Sequence, residues 1–320
     1  MVQAFLYDSQ GQDSEVELSG ATLASVGEHQ LLWIDLARSE RKAVAAAADI
    51  LDLPPEAVGL IQQPPDPSRL DKFEEHIQFS LPLPPKPGRP MAERLDFLIG
   101  ETWLLTVRDG EVEFLEKFRE QDKGETLTGN LTPAALAASL LDWHLEAFHA
   151  ALSAIEVAID GIDENVLQSK EKRPPLSTLA AMRRRVSRLR EALSEHRPII
   201  HGLLRPDVHS IAQVPAAEHY QRLEAHFDRV EDGLKRVTES VVSSFDLYAT
   251  RTAQDTNRLI RALTLITVIT GFIGAIAGVF GMNFDAPFAH SGMFGFEIVT
   301  GTMVGLSVLV IVVAIWRKWL

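Results

Sequence analysis

The chain has 320 residues, room for one sizeable globular domain and more, with a formal net charge of −13 and no cysteine. The lack of cysteine excludes disulfides and thiolate metal sites, and the acidic balance argues against a nucleic-acid partner, which selects basic faces. The acidic excess lies ahead of the apolar C-terminal region, where it favours solubility and attracts cations.

The first residues, MVQAFLYDSQGQ, lack a basic region and an apolar core and do not read as a signal peptide. Ala4–Asp8, Glu15–Leu18 and Leu31–Leu36 have strand composition, with Gln-Gly-Gln as a hairpin turn between the first two. Ser39 is the expected N-cap of the helix RKAVAAAADIL, and Pro54-Pro55 ends that helix and opens a short one. A proline-rich patch, Gln63–Pro67, leads into the extended run His76–Leu83, and Pro84–Pro90 is a loop. RLDFLIG and TWLLTV add two strands around Gly100-Glu101. Residues 1–130 are therefore expected to form a cytoplasmic α/β domain, a mixed sheet with helices packed on it.

From Thr132, an N-cap followed by Pro133, the chain turns helical. Leu141, Leu145, Phe148, Leu152, Ile155, Ile159 and Ile162 mark the apolar face of a helix to Gln168, whose polar face carries Glu146, Glu156, Asp160, Asp163 and Glu164. After Pro174-Pro175 comes a basic helix, Ser177–Leu204, with Arg183, Arg184, Arg185, Arg188 and Arg190. The pair, residues 131–214, reads as a charge-paired helical hairpin, with a cation-sensing surface as the alternative. A long helix follows, from about Ala216 to Asn283, packing through Leu223, Phe227, Val230, Leu234, Val237, Val241, Phe245 and Tyr248. At 1.5 Å per residue it measures roughly 100 Å, so residues 215–258 are expected to be a stalk.

Ala262–Phe284 and Ile298–Trp316 carry no formal charge and are each long enough to cross a hydrocarbon core. They define a first span (259–284), an external loop (285–293) and a second span with a basic tail (294–320). Arg251, Arg258 and Arg261 precede the hairpin and Arg317 and Lys318 follow it, while the loop has no Lys or Arg. Both termini are thus expected in the cytoplasm. One face of the first span runs Asn257, Ile260, Thr264, Thr267, Gly271, Gly274, Gly278, Gly281, and continues upstream through Ala253, Thr250, Asp246, Ser243, Glu239, Arg236, Asp232 and Arg229. Close helix packing through small residues explains the glycines alone. A face that stays mostly polar from solvent into the membrane instead suits a water-filled path.

Gly281-Met282-Asn283, closing the first of two C-terminal spans, with a basic tail ending in Trp-Leu, resembles the CorA-type divalent metal ion transporter family. The order Trp33-Ile34-Asp35-Leu36, HIQFSLPL, FLIGETWLLTVRDG extends the resemblance over the whole chain. It implies a homopentamer whose first spans line a central pore through Asn257, Ile260, Leu263, Thr264, Thr267, Gly271, Gly274 and Gly278. Gly281, Met282 and Asn283 would form the selective outer mouth, with Asn283 holding the ion through its water shell, since Mg²⁺ dehydrates reluctantly. Ile260 with Leu263 would form an apolar constriction and Asn257 a polar ring. The chain departs from the family pattern at Ile61-Gln62-Gln63-Pro64, where an acidic turn is expected. It departs again at Gly271-Phe272-Ile273-Gly274, where a Pro and a Thr are expected, and at Phe280 in place of Tyr.

Asp285 and His290 in the loop are placed to attract a metal, while the pairs His144/His149 and His196/His201 are spaced poorly for shared coordination. The stretches IDGIDENVL and MRRRVSRLREAL resemble the zinc-transporting ZntB-like branch of the family. Three readings stay open: a Mg²⁺ channel or transporter tolerating Co²⁺ or Ni²⁺, a Zn²⁺ transporter, and a non-conducting membrane-anchored coiled-coil sensor. No nucleophile triad, phosphate loop or nucleotide fingerprint suggests an enzyme. The expected partners are copies of the chain itself, membrane lipids and the transported divalent cation, with no cofactor. The expected location is a plasma membrane of the bacterial inner-membrane type, crossed twice.

Overall fold

Alternation of apolar side chains along the N-terminal strands sets the architecture. The computed structural model describes residues 2–62, 69–86, 93–121, 126–168, 176–205, 208, 216–282 and 292–317. They fall into two units, residues 1–162 with 174–243 and residues 163–173 with 244–320.

The first unit holds a seven-stranded sheet of β1 (Gln3–Asp8), β2 (Ser14–Glu17), β3 (Gln30–Ala37), β4 (Leu70–Lys72), β5 (Ile77–Pro82), β6 (Arg94–Ile99) and β7 (Trp103–Arg108). Its order is β2-β1-β3-β7-β6-β5-β4, with β3 parallel to β7 and every other pair antiparallel. The mixed sheet expected from the sequence is thus present, with β4 as an additional edge strand too short to show a period.

The short helix α1 (Gly20–Ala24) joins β2 to β3. Leu32, Ile34 and Leu36 of β3 point to one face, where they pack with Val44, Ala47 and Ala48 of α2 (Arg41–Ile50) and Ala57 and Ile61 of α3 (Pro55–Gln62). Trp33 points to the opposite face and meets Phe118 of α4 (Glu113–Gln121) at 5.8 Å between ring centroids. Phe118 in turn stands edge-on to Trp143 of α5 (Pro133–Gln168). The period of two makes the sheet the middle layer of three. The Asp35 side chain is fully buried, yet it accepts from Thr106 Oγ1 at 2.9 Å and from Arg108 Nε at 3.0 Å, so the buried carboxyl group has partners.

Thr132 caps α5 as expected, its hydroxyl accepting from the Ala135 N–H at 3.2 Å. The other expected cap fails. Glu40, not Ser39, occupies the N-cap of α2 and makes no side-chain cap bond. The Glu40 carbonyl accepts from Ala43 and Val44, so the helix starts at Arg41 as read from the sequence but is capped by Glu40, and Ser39 lies outside it.

The basic helix is also broken, into α6 (Leu176–Ser194) and α7 (His196–Leu203). Pro198 lacks the N–H that would bond the Ser194 carbonyl and its ring crowds that carbonyl, which places the break at Glu195. Nor do the α6 arginines ion-pair with α5 among the described residues. Arg190 donates to Thr238, and Arg197 of α7 pairs with Glu231, both partners lying on the long helix α8 (Ala216–Phe280). That helix buries Leu223, Phe227, Val230, Leu234, Val237 and Val241 of the apolar stripe read from the sequence, while its last two members, Phe245 and Tyr248, are half-buried.

Candidate cation path on the last two helices

The second unit contains the rest of α8 and the helix α9 (Gly292–Trp316). Among the described residues, these two helices are long and apolar enough to cross a membrane. α9 starts six residues ahead of the uncharged run, so its second turn carries Glu297.

Two stripes on α8 decide what this arrangement can do. Asp255, Ala262, Leu265, Ile269 and Ile276 are the half-buried positions. At about 100° per residue they lie roughly 180° round the helix from the stripe Asn257, Ile260, Thr264, Thr267, Gly271, Gly274, Gly278. Every residue of the latter stripe is exposed in the single chain, as is Leu263 beside it. On α9 the sheltered stripe is Gly295, Val299, Met303, Leu306, Val310 and Ala314. Each helix of the hairpin thus shelters one side, and the polar and glycine face stays open.

The glycines show that this openness is real space. A Cβ added at Gly271, Gly274 or Gly278 would meet nothing within 4 Å, so these residues do not serve close packing within the chain. At Gly281 the situation differs: a Cβ would stand 3.0 Å from the Ala277 carbonyl oxygen, tighter than nearly all real contacts. There the Gly281 N–H still bonds Ala277 at 2.9 Å while the Met282 N–H reaches only Val279, at 3.3 Å, so the helix tightens as it ends.

The threonines are disposed to serve water. Thr264 and Thr267 donate their hydroxyl protons to the carbonyls of Ile260 and Leu263, each at 2.8 Å. The donor is thereby used up within the helix and the oxygen lone pairs are left free to accept a further hydrogen bond. Ile260 and Leu263, about one and two turns beyond Asn257, are 55% and 64% exposed, large apolar side chains on or beside an otherwise small and polar stripe. Gly281 and Met282 lie at the end of α8, whereas Asn283, Asp285 and His290 lie outside the described residues.

A family model described as "CorA-like Mg2+ transporter protein" matches residues 28–316. The chain belongs to the CorA family. Within it, the cobalt/magnesium transport protein CorA of Thermotoga maritima is 26% identical over 182 residues, 57% of this chain. That alignment spans 51% of the relative's own length. Among solved structures, the CorA magnesium transporter of Methanocaldococcus jannaschii superposes with a TM-score of 0.77 at 17% identity, covering 100% of this chain and 99% of that one. The ZntB cytoplasmic domain of Vibrio parahaemolyticus has a TM-score of 0.61 at 11% identity, over 79% of this chain and 99% of its own. Both likenesses are of fold.

A CorA-family chain also carries histidines whose partners the sequence spacing did not reveal. His144 of α5 and His196 of α7 are buried side by side, Nε2 to Nε2 at 2.7 Å, although 52 residues apart. His226 of α8 lies against Asp142 and Glu146 of α5. Helical spacing relates only histidines of one segment, and these pairings join different helices.

Proposed function

We propose that the chain forms a divalent-cation channel of CorA type, five copies surrounding an axis in a bacterial plasma membrane, and that Mg²⁺ is its ion. The observation that carries this reading is the opposition of the two α8 stripes. The hairpin of one chain shelters a narrow side of the helix, and the stripe opposite it, Thr264, Thr267, Gly271, Gly274 and Gly278, is polar or lacks side chains, with apolar residues such as Ile266, Phe272 and Val279 exposed on its flanks.

In such an assembly the glycines widen the bore and the threonine oxygens accept from the ion's water shell. The Ile260 and Leu263 side chains narrow the inner end to an apolar ring that closes by dewetting. Asn283, repeated around the axis, supplies uncharged oxygens that bind first-shell water, which suits an ion that keeps its hydration. The relatives' names supply the ion class, Mg²⁺ and Co²⁺.

Flux into liposomes containing the purified chain, with Mg²⁺, Co²⁺ or Zn²⁺ and with or without a pH gradient, tests this. Mg²⁺ entry indifferent to the gradient and lost in Asn283→Ala is the expected result. Selective, gradient-driven Zn²⁺ entry would assign the chain to zinc transport, and absence of flux with every ion would leave a membrane-anchored sensor.

A further inference from the structure

Within the second unit, the end of the hairpin remote from Gly281 gathers cations on the side away from the path. At about 100° per residue, Arg251 and Arg258 fall on the side of α8 that carries the half-buried Asp255, Ala262 and Ile276. Arg317, just beyond α9, falls on the side of that helix that carries Leu306, Val310 and Ala314, the sheltered one. The sheltered stretches, Ile276 back to Asp255 and Gly295 on to Ala314, each cover roughly 30 Å at 1.5 Å per residue. Laid antiparallel, they bring Arg317 level with the turns of α8 between Arg251 and Arg258. On these two sides, at this level, one carboxylate stands against the three guanidinium groups. It belongs to Asp255, whose Oδ1 lies 3.9 Å from Arg258 Nη1. Arg251 donates from Nη1 to Gln254 at 3.4 Å, while its Nε is shielded from solvent with no hydrogen-bond partner among the described residues. Arg317 has no carboxylate partner among them.

We propose that this end of the hairpin binds the phosphate of an anionic phospholipid from the cytoplasmic leaflet, whose oxygens accept from Arg258, Arg317 and the Arg251 Nε. This site rests on the membrane-spanning reading above, with this end of the hairpin in the cytoplasm, and on nothing about the ion conducted. Like charges on facing sides of two helices repel, and a shared anion replaces the repulsion with charge-assisted hydrogen bonds. The level suits a lipid. The rise from Phe280 back to Arg258 is roughly 33 Å, so the guanidinium groups come just past a hydrocarbon core of about 30 Å, where the phosphates lie. Trp316, 82% exposed beside Arg317, is an apolar ring with one polar edge, of the kind that settles at that interface. Val312 and Ile315, exposed on the same last turns of α9, offer apolar surface to the acyl chains. The Asn257 stripe lies on the opposite side of α8, so these arginines stand clear of the path. The lipid ties the inner ends of the two spans together.

The test is native mass spectrometry and thermal unfolding of the full-length protein, delipidated in a neutral detergent and titrated with phosphatidylglycerol, phosphatidylcholine or inorganic phosphate. Neither ion flux nor membrane sidedness enters these readouts, so they stay distinct from a failure of conduction or of orientation. Phosphatidylglycerol is expected to bind and to raise the melting temperature, and phosphatidylcholine and inorganic phosphate to do neither. Arg258→Gln and Arg317→Gln should each weaken phosphatidylglycerol binding about fivefold, the effect of one basic side chain at an anionic surface, and Arg258→Lys should lose less. Arg222→Gln, at the far cytoplasmic end of α8 with its side chain 77% exposed, should change nothing. Arg317 is exposed just beyond the last turn of α9, so Arg317→Gln leaves the fold intact and keeps the test decisive if the Arg258 variants fail to fold. Equal stabilisation by phosphatidylcholine, the same stabilisation by inorganic phosphate, or phosphatidylglycerol binding unchanged in Arg258→Gln and Arg317→Gln would each overturn the proposal.

Discussion

At the scale of single residues, the buried pair His144 and His196 couples stability to pH. His196 Nδ1 is 2.9 Å from the Ala192 carbonyl, which can only accept, so in the neutral pair that nitrogen holds the proton. Its Nε2 is then the acceptor and His144 Nε2 the donor of the 2.7 Å bond. Burial pushes His196 down to about 4 and His144 well below its ordinary value, the latter also through its partner. His76, 2% exposed and stacked on Phe73 at 4.6 Å, is likewise lowered to about 4 by burial. Between about pH 4 and 6.5 the unfolded chain binds protons that the folded one refuses, so stability rises with pH in that window. It is complete above 6.5 and lost as the medium acidifies. The melting temperature of the full chain should therefore fall steadily between pH 7 and pH 4.5. Replacing His144 by Leu should cost about 1–3 kcal/mol at pH 7, by stranding the His196 nitrogen, and should flatten the pH slope. A slope identical to that of the unsubstituted chain would show that the pair takes no part. None of this could be read from the sequence, because the two imidazoles belong to separate helices and meet only after folding. The stripe from Asn257 to Gly281 could, because helical periodicity is local.

At the scale of elements, α8 distinguishes a path from a packing surface. A stripe of glycines makes either, and the sequence left both open; the empty space at Gly271, Gly274 and Gly278 excludes packing within the chain, which leaves a path or a contact between copies. Gly274→Leu should then abolish ion entry while the oligomer, followed by size-exclusion chromatography with light scattering, survives. If the glycines instead joined helices of different copies, the same change would dissociate the oligomer. Thr264→Val should reduce flux without loss of protein, since it removes only the outward acceptor oxygen of a hydroxyl whose proton is already bound within the helix. The elements the sequence misjudged have local causes. Pro198 interrupts a run of good helix formers, and the backbone of Glu40 starts α2 without using the hydroxyl beside it. Neither competition is visible in apolar periodicity.

At the scale of the whole molecule, charge distribution predicts the sides of the membrane. Arg251, Arg258 and Arg261 precede the first span and Arg317 and Lys318 follow the second, while residues 285–293 carry no Lys or Arg. Basic flanks remain on the cytoplasmic side, so the sheet domain with its acidic excess is expected inside and the start of α9 outside. Because the chain has no cysteine, a single introduced thiol reports its side unambiguously. Met293, 80% exposed on the first turn of α9, and Gln12, exposed in the β1–β2 turn, are suitable positions. A membrane-impermeant maleimide applied to intact cells should label Met293→Cys and should reach Gln12→Cys only after lysis. The opposite pattern would place the acidic domain outside, and the inner ends of the path, Asn257 and Ile260, would then meet the ion first. Entry into the cell would have to start at the apolar ring rather than at the Gly281-Met282-Asn283 mouth, and the proposed direction of ion selection would be reversed.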